Sequence, residues 1–291
     1  MTRSTARELA IIRSTYAAHI LAEAGVRSAP LERAFAAVPR EAFLGRGPWP
    51  ILRWGRGYVP TPSADPLYLY ANLLVAIRPK DKLNNGEPAF HVGLMAALAA
   101  RPGEHVVHIG AGTGYFTAVL AEQVGRRGRV TAFEVDAELA DRARRNLRPW
   151  PQVRVIHGDA LAVPFDPADG IYVNAGATHL PAAWLDGLKP GGRLILPLTT
   201  GEGWHRFDAA QIARRGAVFL IARDRRGTLA RWLSPVAIYP CAGARTPSAD
   251  AALRRAFKRG GWERVRRLYR GDEVPKERCW VRGKGWGLAF R

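Results

Sequence analysis

The chain contains little cysteine and no long apolar run. Its two cysteines, Cys241 and Cys279, lie far apart and outside any Cys-x-x-Cys pattern, which argues against a disulfide framework and a structural zinc site. No stretch reaches the roughly 20 apolar residues that a membrane-spanning helix needs. Residues 1–20 include Glu8 and Arg13, which predicts an amphipathic helix rather than a signal peptide. We therefore expect no membrane span and a reducing, cytoplasmic setting.

Acidic residues are also scarce. The 291 residues include 44 Lys and Arg but only 25 Asp and Glu, which gives a formal net charge of +19. Such a charge attracts anionic partners, namely nucleic acid, an acidic membrane surface or carboxylate-bearing substrates. A general preference for arginine on solvated faces is the alternative, because the arginines are spread along much of the chain. Hydrophobic residues make up 47% of the chain, enough for a buried core.

The pattern of apolar residues is typical of an α/β fold. Short β-branched runs alternate with helical stretches, which predicts strands at 106–109, 130–133, 153–156, 170–173 and 192–196, and helices at 115–124, 137–147 and 181–188. This alternation favours a Rossmann-like, doubly wound and mostly parallel sheet.

Segments of other character flank this core. Helices are predicted at 5–25, 30–37 and 89–100, a loop at 45–66, an antiparallel strand pair at 217–222 and 229–239, a basic helix at 250–270 and one more strand within 279–290. We divide the chain into N-terminal helices with a covering loop (1–87), a Rossmann-like core (88–242) and a basic C-terminal extension (243–291).

Three strand ends carry the residues that indicate a cofactor. Residues 108–115, HIGAGTGY, follow the first predicted strand, and their glycines let the backbone turn tightly and approach a ligand. Tyr115 stands where dinucleotide folds have a third glycine, which favours S-adenosylmethionine over NAD. Glu134 ends the second strand, where an acid accepts both ribose hydroxyls. Asp159, after the third strand, is suited to accept the adenine amino group.

These residues resemble the protein-L-isoaspartate O-methyltransferase family over about residues 7–240. The segments similar to family motifs are VPREAF at 38–43, GAGTGYFTAVLA at 110–121, LKPGGRL at 188–194 with LPL at 196–198, the Ala-rich turn at 174–177 and the closing hairpin at 224–240. The resemblance implies a class I fold, S-adenosyl-L-methionine as cofactor and methyl transfer to a carboxylate. The expected cofactor-binding residues are His108, Gly110, Gly112, Gly114, Tyr115, Glu134, Asp159, Ala160 and Asn174.

The chain departs from the family before the glycine-rich strand. The family carries a T-I-S-x-P segment whose serine lies at the methyl-transfer site, whereas residues 84–88 here read NNGEP, with Gly86 at the serine position. His91 resembles a histidine that some members have at this spacing. His108 stands where the family usually has Glu or Asp, so the family's acidic contact to the cofactor's methionine end is not expected from this residue. The expected catalytic residues are Asn84, Asn85, Gly86 and His91.

The expected function is O-methylation of a carboxylate on a peptide or small molecule, with no metal. Two alternatives stay open. One is methyl transfer to a modified peptide or small acidic metabolite. The other is a repurposed cofactor fold that binds RNA or another anionic partner. Its contact residues would be Arg254, Arg255, Lys258, Arg259, Arg264, Arg266 and Arg267. Nucleic-acid N-methylation is not favoured, because the Asn-Pro-Pro-Tyr type of clamp after the fourth strand is absent.

Overall fold

The computed structural model describes residues 4–53, 55–201, 215–224, 227–271 and 276–290. The chain forms two compact units that interleave along the sequence. The first comprises residues 1–103, 111–130 and 136–155, and the second comprises 104–110, 131–135 and 156–291. The three-part division at residues 87 and 242 stays a prediction. No helix in these described ranges is both long enough and apolar enough to cross a membrane.

The first unit is mainly helical. Its α-helices are α1 (Ala6–Glu23), α2 (Ala29–Ala37), α3 (Pro88–Leu98), α4 (Tyr115–Val124) and α5 (Ala137–Asn146), which confirms the five helices predicted for this part of the chain. Side-chain caps mark the first residues of two of these helices. The Thr5 side chain accepts from Glu8 N while the Glu8 carboxylate accepts from Thr5 N, which forms a capping box on α1. Asp136 caps α5 by accepting from Leu139 N.

The predicted loop at 45–66 is wrong in one respect. It contains an antiparallel hairpin of β1 (Pro50–Arg53) and β2 (Gly57–Pro60), in which Ile51 pairs with Val59. Ile51 is buried in a small apolar cluster with Trp49 and Val75. Strands of four residues with a single buried position show no alternation that a sequence pattern can report. The same unit holds the short pair β3 (Ala76–Arg78) and β4 (Leu83–Asn84).

The described residues form a ten-stranded sheet, and most of its strands lie in the second unit. Its strands are β5 (His105–Ile109), β6 (Arg129–Glu134), β7 (Val153–His157), β8 (Ala168–Val173), β9 (Leu188–Thr199), β10 (Gly216–Asp224), β11 (Gly227–Pro235), β12 (Arg267–Arg270), β13 (Cys279–Gly283) and β14 (Trp286–Ala289). Their spatial order is β13-β14-β12-β11-β10-β9-β8-β5-β6-β7. The α/β class and all five predicted core strands are confirmed.

The order of the strands defines a switch point between β5 and β8. The chain runs outward from β5 through β6 to β7 and then returns to β8 on the other side of β5. β5 pairs in parallel with β8, and β8 with β9. In open α/β sheets, ligands bind beyond the carboxyl ends of the strands at such a reversal. The predicted cofactor residues on β5, β6 and the turn after β8 are therefore placed at the functional edge of this sheet.

The C-terminal part adds antiparallel strands to the same sheet. β10 and β11 form the predicted antiparallel pair, although β11 already ends at Pro235, and residues 225 and 226 of its turn lie outside the described residues. α6 (Ala182–Asp186) is a single turn, shorter than predicted. The basic helix predicted over 250–270 is wrong beyond Arg259. α7 (Pro247–Arg259) ends there because Gly260 and Gly261 adopt φ of +73° and +83°.

Residues predicted as the end of that helix form β12, and the last segment forms two strands instead of one. β12 pairs with β11 and β14, and β14 pairs with β13, all antiparallel. Trp280 and Leu288, on β13 and β14, are buried in the large apolar cluster of the second unit. The extension is thus part of the core of the second unit, which its basic composition does not reveal.

A fully buried arginine organises the loops of the first unit. Arg40, in the VPREAF segment, is 0% exposed. Its Nη1 donates to the carbonyl oxygens of Leu69 (2.8 Å) and Ala71 (3.2 Å), and its Nη2 donates to that of Leu73 (2.7 Å). Its Nε donates to Oδ1 of Asn85 at 3.2 Å. One guanidinium therefore satisfies three loop carbonyls and a side chain of the predicted catalytic segment.

We predict that Arg40→Leu destabilises the protein strongly. The substitution leaves several buried acceptors without a donor, and each such group costs about 1–3 kcal/mol. A loss of about 3 kcal/mol or more in the free energy of unfolding is expected from urea denaturation. Arg33→Leu removes an exposed arginine and should change stability by less than about 0.5 kcal/mol. An Arg40→Leu variant as stable as Arg33→Leu contradicts the role assigned to this side chain.

Candidate cofactor and acceptor sites

In the second unit, Gly110 brings two strand ends together. Its φ is +81°, and a Cβ placed on it would lie 3.1 Å from the carbonyl oxygen of Asn174. Gly110 N donates to the carbonyl oxygen of Phe133 at 3.0 Å, and Asn174 N donates to that of Ile109 at 2.8 Å. The ends of β5, β6 and β8 therefore meet at backbone contact, which only glycine permits at this φ and spacing.

The other two glycines of the turn belong to the first unit and differ in role. A Cβ on Gly114 (φ +96°) would lie 2.8 Å from Cδ1 of Leu147, so this glycine allows α4 and α5 to pack closely. At Gly112 (φ +58°) the Cβ position meets no described heavy atom within 4 Å. The turn thus uses one glycine for strand approach and one for helix packing, and the contact of Gly112 with a cofactor stays a prediction.

The two predicted acids lie at neighbouring strand ends of the second unit. Glu134 closes β6 and is 7% exposed, and its carbonyl oxygen accepts from Gly158 N at 2.9 Å. Asp159 follows Gly158 and accepts from Leu161 N through Oδ1 at 2.9 Å, which is an Asx turn. Ala160, the residue after Asp159, is buried. The backbone contact at Gly158 places both carboxylates along the same edge of the sheet.

His108 introduces a neutral group where the family has an acid. It is fully buried on β5, and its ring lies edge-on to that of Tyr172 at 5.4 Å between centroids. Burial lowers the pKa of His108 from 6.5 to about 3, so the imidazole carries no charge at neutral pH. A charged contact of this side chain with a cofactor ammonium group is therefore absent in this chain.

Tyr115 lies in an aromatic cluster of the first unit. Its ring is 5.6 Å from that of Phe43 and 6.3 Å from that of Phe35, and the Arg40 guanidinium lies 6.0 Å from its centroid. Burial raises the pKa of its phenol well above the usual value. The side chain anchors the start of α4, and the predicted contact of Tyr115 with a cofactor stays a prediction.

The four predicted catalytic residues come together in the first unit. Asn84 Oδ1 accepts from Gly86 N at 2.9 Å, and Asn84 Nδ2 donates to the hydroxyl of Tyr58 at 3.3 Å. Asn85 is held by Arg40, a contact that the sequence did not indicate. The only sequence signal for it was a charged residue inside the apolar VPREAF segment. Among the described residues, no cluster of His, Cys, Asp and Glu side chains could hold a metal ion.

His91 packs directly on Gly86. It is 2% exposed and stacks on Phe116, with 3.8 Å between ring centroids and 24° between planes. Gly86 adopts φ +84°, and a Cβ placed on it would lie 2.9 Å from His91 Cδ2 and would overlap His91 Nε2. The imidazole therefore occupies the space into which a side chain at position 86 would project.

A comparison with protein families decides the identity of this fold. The profile of the Protein-L-isoaspartate(D-aspartate) O-methyltransferase (PCMT) family matches residues 58–224, more than half of the chain. The chain belongs to the protein-L-isoaspartate O-methyltransferase family. Membership confirms the predicted class, an S-adenosylmethionine-dependent methyltransferase, and its cofactor.

Individual proteins of this family are also similar to the chain. The Methylibium petroleiphilum protein-L-isoaspartate O-methyltransferase is 33% identical over 232 residues, 77% of this chain and 74% of that protein. The Pyrobaculum neutrophilum protein of the same name is 33% identical over 189 residues, 63% of this chain and 82% of that protein. The Methanopyrus kandleri protein is 44% identical over 106 residues, and the match spans about half of its length, 47%.

Solved structures show the same fold. One protein-L-isoaspartate O-methyltransferase superposes with a TM-score of 0.59 at 23% identity, over 90% of this chain and 74% of that chain. A second, from Plasmodium falciparum, is described as a beta-aspartate methyltransferase in complex with S-adenosyl-L-homocysteine. It has a TM-score of 0.59 at 16% identity, over 79% of this chain and 97% of that chain.

We predict that Glu134→Ala weakens binding of S-adenosylmethionine by about 1.5–3 kcal/mol, because it removes charge-assisted hydrogen bonds to the ribose. Calorimetric titration of the cofactor checks this. Glu138→Ala, an exposed acid on α5, is the matched control and should bind as the wild type does. Equal affinities of the two variants would refute the assignment of Glu134 to the ribose.

We also predict that Gly86→Ser is destabilising, and that His91 is part of the reason. The positive φ costs about 1 kcal/mol, and overlap with the imidazole costs about 1–3 kcal/mol more. In a His91→Ala background only the first cost remains, so a double-mutant cycle on unfolding free energies should show coupling of at least about 1 kcal/mol. Gly93→Ser, in open space on α3, controls for the added hydroxyl. Additive effects would contradict the packing described for His91.

Proposed function

We propose that this protein is a carboxyl O-methyltransferase that acts on isoaspartyl side chains of peptides and proteins. The observation that carries the proposal is the junction at Gly110 and Asn174, followed in family order by Glu134 and Asp159 at the neighbouring strand ends. The names of the relatives point to the isoaspartyl acceptor. The net charge of +19 supports a carboxylate-bearing substrate, because it draws anions to the protein.

S-adenosylmethionine fits the residues of the second unit. Gly110 and Asn174 meet without an intervening side chain at the switch point of the sheet, where such folds bind nucleoside-containing cofactors. Glu134 is assigned to the ribose hydroxyls and Asp159, with Ala160, to the adenine. When bound, the cofactor supplies a methyl group activated on a sulfonium. Because His108 stays neutral, other groups have to bind the methionine end of the cofactor.

A carboxylate acceptor needs no general base, because its pKa of about 4 leaves it ionised near pH 7. The task of the protein is to orient the carboxylate and to exclude water. We assign acceptor orientation to Asn84, Asn85 and His91 in the first unit. His91 takes the space of the missing family serine, and the Asx turn of Asn84 with the Arg40 contact of Asn85 holds both amides in place. Gly86 provides the room for the imidazole.

The test is transfer of labelled methyl groups from S-adenosylmethionine to three acceptors. They are an isoaspartyl peptide, the same peptide with ordinary aspartate, and RNA. We predict label in the isoaspartyl peptide alone, released by mild alkali because methyl esters hydrolyse readily. Asn85→Ala should slow transfer at least tenfold without weakening cofactor binding, because Asn85 is assigned to the acceptor and not to the cofactor. The melting temperature of the variant reports the stability lost with the Arg40 hydrogen bond.

Other outcomes of this assay reject the proposal. Label in RNA, or label in a peptide that survives alkali, refutes a carboxyl acceptor. Equal label in the two peptides supports a carboxylate acceptor of wider range and refutes isoaspartyl specificity. A reducing, cytoplasmic compartment stays our prediction and rests on the two unpaired cysteines.

A further inference from the structure

A segment after the β11 strand crosses the functional edge of the second unit. We call residues 239–246 the strap. The backbone of Gly176 donates to Tyr239 O at 2.7 Å and accepts from Cys241 N at 2.9 Å. Farther along, Thr178 N donates to Ala244 O at 2.9 Å. The strap is therefore tied by backbone hydrogen bonds to the turn that follows β8.

Side chains reinforce this attachment. Arg245 Nη1 donates to the carbonyl oxygen of Gly176 at 2.6 Å and to Thr199 Oγ1 at 3.0 Å. Thr246 N donates to Thr178 Oγ1 at 3.0 Å. Because backbone and side-chain contacts fix it at both ends, the middle of the strap has a defined position. The strap spans the end of the region that resembles the family and the start of the basic extension.

The middle of the strap lies against Asp159. A Cβ placed on Gly243 would lie 2.7 Å from Asp159 Cγ and would overlap Asp159 Oδ2. Gly243 does not adopt a left-handed φ, so its backbone conformation suits any residue. The Asp159 carboxylate occupies the position of the missing side chain, so any larger residue at position 243 would force this carboxylate to move.

Asp159 is consequently confined from two sides. Its Oδ1 accepts from Leu161 N at 2.9 Å, and its Oδ2 rests against Gly243. A carboxylate held by its own turn and by a neighbouring backbone keeps one orientation, which a recognition group requires. An ordinary Asx turn needs only the first of these contacts.

We propose that the strap positions Asp159 to select a 6-aminopurine, and that Gly243 is a specificity-determining positioning residue of the cofactor site. This inference rests on the proposed function. A carboxylate accepts a hydrogen bond from a 6-amino group, whereas a 6-oxo group presents a second acceptor and is repelled. A side chain at position 243 would displace the carboxylate and abolish this discrimination.

The experiment compares calorimetric binding of S-adenosyl-L-homocysteine and its deaminated analogue, S-inosyl-L-homocysteine. The wild type should prefer the adenine compound at least tenfold. Gly243→Ala should reduce this preference several-fold by weakening only the adenine compound, as should Arg245→Gln, which loosens the strap without adding atoms beside Asp159. Ala242→Ser, an exposed strap position, should keep the wild-type preference. The Asp159→Ala variant gives the ratio of the two affinities in the absence of the carboxylate.

Melting temperatures recorded on the same samples separate specificity from folding. The ratio of the two affinities is the readout, because a merely structural loss lowers both affinities together. A Gly243→Ala variant that folds and keeps the wild-type ratio overturns the role of the strap. Equal binding of both compounds by the wild type refutes recognition of the 6-amino group by Asp159. This result leaves the methyltransferase assignment intact. A wild type that binds neither compound refutes the proposed function itself.

Discussion

The approach of two strand ends at Gly110 is the constraint on which the second unit depends. The Cβ position of Gly110 lies 3.1 Å from the carbonyl oxygen of Asn174, so a side chain there would crowd the junction of β5 and β8. The order of the strands puts the switch point at the same place, and Glu134 and Gly158 follow at the neighbouring strand ends. The residues that we assign to the cofactor are therefore grouped by a close backbone contact.

The first unit shows how a family motif can change without losing its surroundings. A buried arginine, Arg40, still orders the preceding loops and holds Asn85. Gly86 has no side chain, and the imidazole of His91 fills the space that one would occupy. When glycine replaces a small polar residue at position 86 and a histidine packs against it, the space of the lost side chain stays filled. It also replaces a hydroxyl with a ring nitrogen in the segment we assign to the acceptor.

The basic extension combines charged residues with buried apolar residues. Its arginines and lysines account for part of the net charge, while Leu253, Phe257, Trp280 and Leu288 belong to the large apolar cluster of the second unit. β12, β13 and β14 extend the sheet, and the strap that leads to them touches Asp159. The charged residues thus lie on elements that the fold needs, and their field attracts anions.

The sequence by itself determined the α/β class, the core strands and helices and the cofactor, and it predicted which residues contact that cofactor. Those features rest on local periodicity and on glycines and acids at strand ends, which short windows contain. Only the tertiary structure decided the hairpin near Ile51, the end of α7 at Gly260, the burial of Arg40, the packing of His91 on Gly86 and the contact of Gly243 with Asp159. The contacts of Arg40 and of Gly243 join residues distant in the chain, and such contacts depend on shape and packing that no local pattern records.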